Sequence, residues 1–201
     1  MEDFAAELYY TEDQAKRLGE SLLANYYAVS NEVRALGRFS LTRDIYLQSF
    51  KNIFLHNNIQ YDYKAAVDHL FEEHRASEFY EETEAFLEFL LKKVKVCIVS
   101  DTDEQMLPPF YKKYPIQVFT SEQFKSYKND QANKMFTEII KYYEAAPENI
   151  LHIGDSPADV LGAKRAGIKA VWLNRTQANW NHEVKPDYTV RRLDEIPNNI
   201  L

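Results

Sequence analysis

With 201 residues, 45% of them hydrophobic and 27% charged, the chain has the composition of a globular protein able to bury a sizeable core in one or two domains. Its net charge of −7 argues against the basic surface with which proteins hold nucleic acid or an anionic membrane. No apolar stretch is long enough to span a bilayer, the acidic start of the chain lacks a signal-peptide core, and the single cysteine, Cys97, cannot form an internal disulfide, so a cytoplasmic location is expected.

The first half reads as helix throughout. Thr11 and Gln14 form a capping box for a helix running to about Tyr27, with Leu18, Leu22 and Tyr26 along one face. Further helices fit residues 42–56, 62–75 and 79–92, and Ile45, Phe50, Ile53 and Phe54 supply the apolar stripe of the first of these. Neither proline nor a β-branched run occurs before residue 94, so residues 1–80 are expected to form a helical bundle. His56, His69 and His74 lie on polar helix faces, where histidines are solvated.

Beyond residue 94 the pattern alternates. Strands are expected at 95–100, 116–119, 149–153 and 169–173, with a short one near 187–190, and helices at 103–113, 130–145 and 156–166. Pro147 closes the second of these helices, and Gly167 is the C′ glycine that ends the third. Residues 175–186 read as a polar loop. Strands alternating with helices imply right-handed βαβ units and a parallel sheet covered on both faces, an α/β architecture over residues 81–201.

Three strand ends carry the candidate chemistry. Gly154-Asp155-Ser156-Pro157-Ala158-Asp159 follows the third strand, and carboxylates at that end of a parallel strand stand where open α/β sheets bind ligands. Asp155 and Asp159 are hard oxygen donors suited to a divalent cation, although Ser156, Pro157 and Asp159 also make a good helix start. Ser100, at the end of the first strand, is either an oxyanion contact or the cap of the helix that follows. Lys128 precedes the long helix and matters only if its loop lies above the same sheet edge, where an ammonium balances phosphate and carboxylate charge.

Taken in this order, Ser100, Lys128 and the Asp155/Asp159 loop resemble motifs two, three and four of the haloacid dehalogenase (HAD) superfamily of hydrolases. The trailing Gly162-Ala-Lys-Arg-Ala-Gly167 also resembles that family, and the likeness covers residues 94 to about 190. It implies a doubly wound parallel sheet, a Rossmann-type core, with the helical residues 1–80 as an N-terminal cap. It further implies a Mg²⁺-dependent hydrolase, a phosphatase of a small phosphorylated metabolite working through an aspartyl-phosphate, with a dehalogenase as the weaker reading. Ser100, Asp101 and Lys128 would contact substrate, Lys128 would neutralise charge on nucleophile and phosphate, Asp155 would ligate Mg²⁺, and Asp159 would share or support the metal site.

The family's first motif, an apolar strand ending in Asp-x-Asp, is not found in residues 1–10, where Asp3 follows no apolar run. The chain is therefore expected to lack about twenty N-terminal residues, room for one strand and its turn. Loss of that central strand would leave a hole between its neighbours. Asp101-Thr102-Asp103 offers an internal Asp-x-Asp, with Asp101 as nucleophile and Asp103 as acid and base. The rival reading is a catalytically silent binding module, which could form a homodimer or borrow a strand from another chain.

Overall fold

The structure, a computed structural model, describes residues 11–196 and divides into two compact units. One comprises the described residues up to Ser77 together with Thr102–Pro109; the other comprises Glu78–Asp101 and the described residues from Phe110 onward. The backbone therefore crosses between units three times. Residues 1–10, on which the expectation about the first motif rests, lie outside the described residues.

The first unit is helical. Helix α1 (Glu12–Ala35) opens on the expected capping box, in which Thr11 accepts the Gln14 amide and Gln14 reaches back to the Thr11 amide. It runs past Tyr27 because residues 28–35 contain no breaker, and it stops at Gly37, whose φ of +63° suits the left-handed end of a helix. Helices α2 (Thr42–His56) and α3 (Tyr63–Arg75) follow. Leu18 and Leu22 of α1, Phe50 and Phe54 of α2, and Val67 and Phe71 of α3 form one core, which Met106 joins from the distant 102–109 segment. That segment also supplies a cap. Both carboxylate oxygens of Asp103, which is buried, accept amides of the first turn of α2, from Thr42 at 2.9 Å and Arg43 at 2.7 Å. The helix expected over 103–113 is two short 3₁₀ turns instead, Glu104–Met106 and Pro109–Lys113. Pro108 and Pro109 break it, since each lacks an amide donor and forces its predecessor out of helical dihedrals.

The second unit is α/β. Helix α4 (Thr83–Leu91) leads into β1 (Cys97–Ser100), β2 (Gln117–Thr120), the single-turn α5 (Ser121–Phe124) and α6 (Lys134–Tyr143). Then come β3 (Leu151–Gly154), α7 (Pro157–Arg165), β4 (Lys169–Leu173) and β5 (Tyr188–Val190). Every strand pair is parallel, as the alternating pattern predicts. The strands fall into two sets, β1 beside β2, and β3 beside β4 beside β5, and among the described residues no strand joins β1 to β3. Residues of β4 alternate between faces. Ala170 and Trp172 pack with Phe136 and Ile139 of α6 and Val160 and Ala163 of α7, while Val171 packs with Val190 and Phe86 of α4 on the other side. Helix α6 begins at Lys134 rather than at 130, because Asn133 has a left-handed φ of +48° and Asp130 is engaged in the preceding loop. Among the described residues, no helix is long and apolar enough to cross a membrane.

Candidate active site

The site is assembled where β1, β2 and β3 end. Beyond α5, residues 126–133 form a tight loop around Asp130. Its carboxylate accepts Ser126 Oγ at 2.5 Å, the Tyr127 amide at 3.1 Å and the Asn133 amide at 2.8 Å. The loop is anchored from outside as well. Arg165 donates to the Asp130 carbonyl at 2.7 Å, Asn133 Nδ2 donates to the Gly162 carbonyl at 3.0 Å, and the Lys128 amide donates to Asp101 Oδ1 at 2.7 Å. Gly162 makes the approach feasible: a Cβ there would fall on the Lys128 carbonyl oxygen and against the Phe136 ring. The loop does lie above the sheet edge, which is the condition the sequence sets for Lys128 to matter.

Lys128 and Asp159 form a buried ion pair, Nζ to Oδ1 at 2.5 Å, with side chains 12% and 3% exposed. His152, which points from the middle of β3, places Nε2 at 2.8 Å from the same oxygen and donates to it, because an ionised carboxylate only accepts. The other oxygen, Oδ2, accepts the Ser156 amide at 3.1 Å and Ser156 Oγ at 2.6 Å, while Ser156 Oγ in turn caps the Asp159 amide. Burial alone would raise the Asp159 pKa. The His152 hydrogen bond and the Lys128 charge outweigh it and hold the carboxyl well below the ordinary carboxylate range. Burial likewise works against the Lys128 ammonium, but the charges of Asp159 and Asp101, the hydrogen bond to Asp159 and the charge of Asp155 raise its pKa. Both members of the pair are thus charged across the neutral range. Gly154 is required by this packing, since a Cβ there would overlap the Asp159 carboxyl carbon.

Asp155 is placed differently from its neighbour. Its backbone carbonyl is tied down by Trp172 Nε1 at 3.0 Å, whereas its side chain is exposed and takes no hydrogen bond among the described residues. Asp155 also borders a cavity of about 380 Å³ walled by Trp172, Trp180, Asn174 and Arg175. Ser100 ends β1 half-buried, and its hydroxyl likewise has no partner among the described residues. Asp101 holds the Lys128 amide.

Among the described residues, no three His, Cys, Asp or Glu side chains cluster into a ready-made metal cage. Asp159, expected to share or support the metal site of Asp155, has both oxygens engaged by N–H and O–H donors, as ion-pair partner of Lys128 and cap of α7. Asp155 is the carboxylate at this edge that could hold a divalent cation, with water and substrate oxygen filling the other positions. The internal Asp-x-Asp is parted in the structure: Asp103 caps α2 in the helical unit, and Asp101 serves the Lys128 loop.

His152 is the residue that sequence reasoning passed over. Its one signal is a lone imidazole in the apolar run before Gly154, and its importance appears only once Asp159 is folded back beneath it.

Comparison with known proteins agrees with this architecture. The family model for haloacid dehalogenase-like hydrolases matches residues 7–173. A phosphoserine phosphatase of Thermus thermophilus is 36% identical over 64 residues, covering 31% of this chain and 26% of that protein. The Bacillus subtilis protein YfnB is 32% identical over 91 residues, 44% of this chain and 36% of that protein. The matched stretches thus span about a quarter to a third of these curated relatives. Among solved structures, a dehalogenase with an intermediate complex superposes with a TM-score of 0.79 at 17% identity, covering 96% of this chain and 86% of that one. The magnesium-bound structure of YfnB gives 0.72 at 18% identity, with 92% and 82% covered. Similarity at these identities shows the fold.

Proposed function

Because the chain belongs to the haloacid dehalogenase-like hydrolases, we propose that it serves the hydrolysis of a small phosphorylated metabolite with Mg²⁺. The observation that carries this reading is the placement of Lys128. A buried, ion-paired ammonium stands among Asp101, Asp155 and Asp159 at the carboxyl ends of the strands, the edge at which Ser100 ends β1 with a hydroxyl that has no partner among the described residues. Such an edge attracts a dianionic group only if cationic charge is supplied to it. The name of the phosphoserine phosphatase relative supports a phosphate ester over a haloacid.

Each side chain has a task in this reading. Ser100 donates to a phosphoryl oxygen. Lys128 offsets the charge that builds up as the ester bond breaks, and Asp159 with His152 holds the ammonium in place and charged. Asp155 holds Mg²⁺, which when bound draws charge from the phosphate oxygens. None of Asp101, Asp103 and Asp159 is assigned as the attacking carboxylate, because each is engaged in other contacts. Attack on phosphorus would break the ester P–O bond, release the alcohol as its oxygen takes up a proton, and leave an aspartyl-phosphate, which water then cleaves to inorganic phosphate and the free carboxylate.

The test is phosphate release from a panel of phosphate esters by the protein purified from its natural source, with Mg²⁺ and with EDTA. Mg²⁺-dependent turnover that falls at least ~100-fold in Lys128→Ala and in Asp155→Asn is expected. Halide release from a 2-haloacid, or no phosphate release from any ester, would overturn the reading.

A further inference from the structure

The cavity of about 380 Å³ beside Asp155 is lined entirely by residues of the α/β unit. It lies where β3 and β4 end side by side. Gly154 is level with Trp172 in their parallel register, Asp155 follows the one strand and Asn174 the other, and both line the cavity. Its remaining wall is a loop, residues 174–184, that side chains hold in shape. Asn174 closes the first turn with both ends of its amide, Nδ2 donating to the Ala178 carbonyl at 2.9 Å and Oδ1 accepting the Ala178 amide at 2.9 Å. Trp180 Nε1 donates to the Val184 carbonyl at 2.9 Å, and the Trp180 ring meets Trp172 and His182 edge-on, with centroids 4.8 and 5.2 Å apart. Trp172 Nε1 donates to the Asp155 carbonyl. Both indole N–H groups are thereby engaged by backbone, and what these rings leave for a ligand is aromatic surface. A wall fixed in advance loses little entropy when something settles on it.

The charges around the cavity decide what can fill it. Among the described residues that line it, Arg175 and Asp155 carry a fixed charge. The Arg175 guanidinium is already met: its Nη2 lies 2.6 Å from Glu82 Oε1, on a side chain 6% exposed. The same guanidinium stands 3.9 Å from the centroid of the Tyr80 ring. An anion entering here would find the cation neutralised, and a cation would find the Tyr80 face covered by one already. Asp155 is committed to the metal in the reading above. An uncharged group with flat faces is what remains. Asn179 and Asn181 also line the cavity, and their amides hydrogen-bond to nothing among the described residues, which suits a ring with donors or acceptors on its rim. The volume is at the small end of ligand pockets, roughly 300–1,000 Å³, room for one or two fused rings.

We propose that this cavity is the leaving-group pocket: it takes an uncharged, planar heteroaromatic ring carried by the alcohol part of the phosphate ester. This inference rests on the hydrolase reading for the role of the ring, since the cavity touches that reaction through Asp155, but not for the binding of the ring itself.

Binding and turnover are therefore measured apart. The chain's two tryptophans, Trp172 and Trp180, both line the cavity, so their emission reports its occupancy directly. The probe is the phosphate-free alcohol hydroxyethylbenzimidazole, added in EDTA, with cyclohexylethanol as a puckered apolar control; calorimetry gives the affinities. The benzimidazole should change tryptophan emission and bind at least ~10-fold more tightly than the control, as expected for stacking on aromatic rings. Trp180→Leu, which keeps apolar bulk without a ring, should weaken it by at least ~10-fold. In the phosphate-release assay with Mg²⁺, the benzimidazolylethyl phosphate should show a KM at least ~10-fold below that of ethyl phosphate. Equal binding of the two alcohols, unchanged emission, or full-strength binding by Trp180→Leu would overturn the ring site. Ring binding together with equal KM values would overturn its assignment to the leaving group. Ring binding without turnover of any ester would strike the hydrolase reading, and the leaving-group role with it, and leave the ring site standing.

Discussion

Replacing Asp159 with Asn would keep a capping oxygen for Ser156 but remove the charge that faces Lys128. An ammonium left buried beside a neutral amide should cost ~3 kcal/mol in urea unfolding. The pH dependence has a definite sign. The depressed Asp159 pKa contributes stability that is fully present above its unfolded value of about 3.9 and fades as pH falls below that. The raised Lys128 pKa contributes stability present below about 10.4 and lost at higher pH. The difference in unfolding free energy between wild type and D159N should therefore be flat from about pH 5 to 9 and shrink on either side; a difference that varies through neutral pH would contradict the pair. Gly162→Ala pushes on the Lys128 carbonyl and should cost about 1–3 kcal/mol, with a matching loss of turnover because the ammonium is displaced. Cys97 should resist small thiol reagents at neutral pH, since burial pushes its pKa up to about 11 despite an opposing hydrogen bond from Tyr143. At this scale the sequence was half legible. A carboxylate after Gly154 reads directly as a strand-end ligand, but the engagement of Asp159 depends on the loop that Gly162 admits and on His152, neither of which has a local pattern.

Local chemistry wrote most of the elements plainly. The Thr11–Gln14 box, the Ser156-Pro157 start of α7 and the φ of +78° at Gly167 are each specified within a few residues. One element depends instead on a distant partner. Helix α2 has Leu41 as its N-cap, with no capping side chain of its own, and borrows Asp103 from sixty residues downstream. Asp103→Ala should consequently cost about 2 kcal/mol, at the upper end for a helix cap because the site is buried. Urea titration followed by circular dichroism should show this as a lower midpoint with an unchanged slope. The 130–133 segment has helical composition, yet Asp130 spends its carboxylate on loop amides, so the helix starts late.

For the molecule as a whole, the alternation of strands and helices was enough to read a parallel α/β unit after a helical one. What the pattern could not convey is that residues 102–109 leave the α/β unit and return to the helical one, because tertiary assignment of a short irregular stretch has no periodicity to read.

The return of Met106 and Asp103 to the helical unit also sets an order of events during synthesis. A nascent chain released only as far as residue 77 has made α1, α2 and α3 but not the residue that completes their core or the carboxylate that caps α2. The helical half cannot close until β1 and the turn beyond it have left the ribosome, so the first part made is not the first part finished. Ribosome-stalled chains should remain protease-sensitive over α1–α3 at that earlier length and become resistant once residue 109 is exposed.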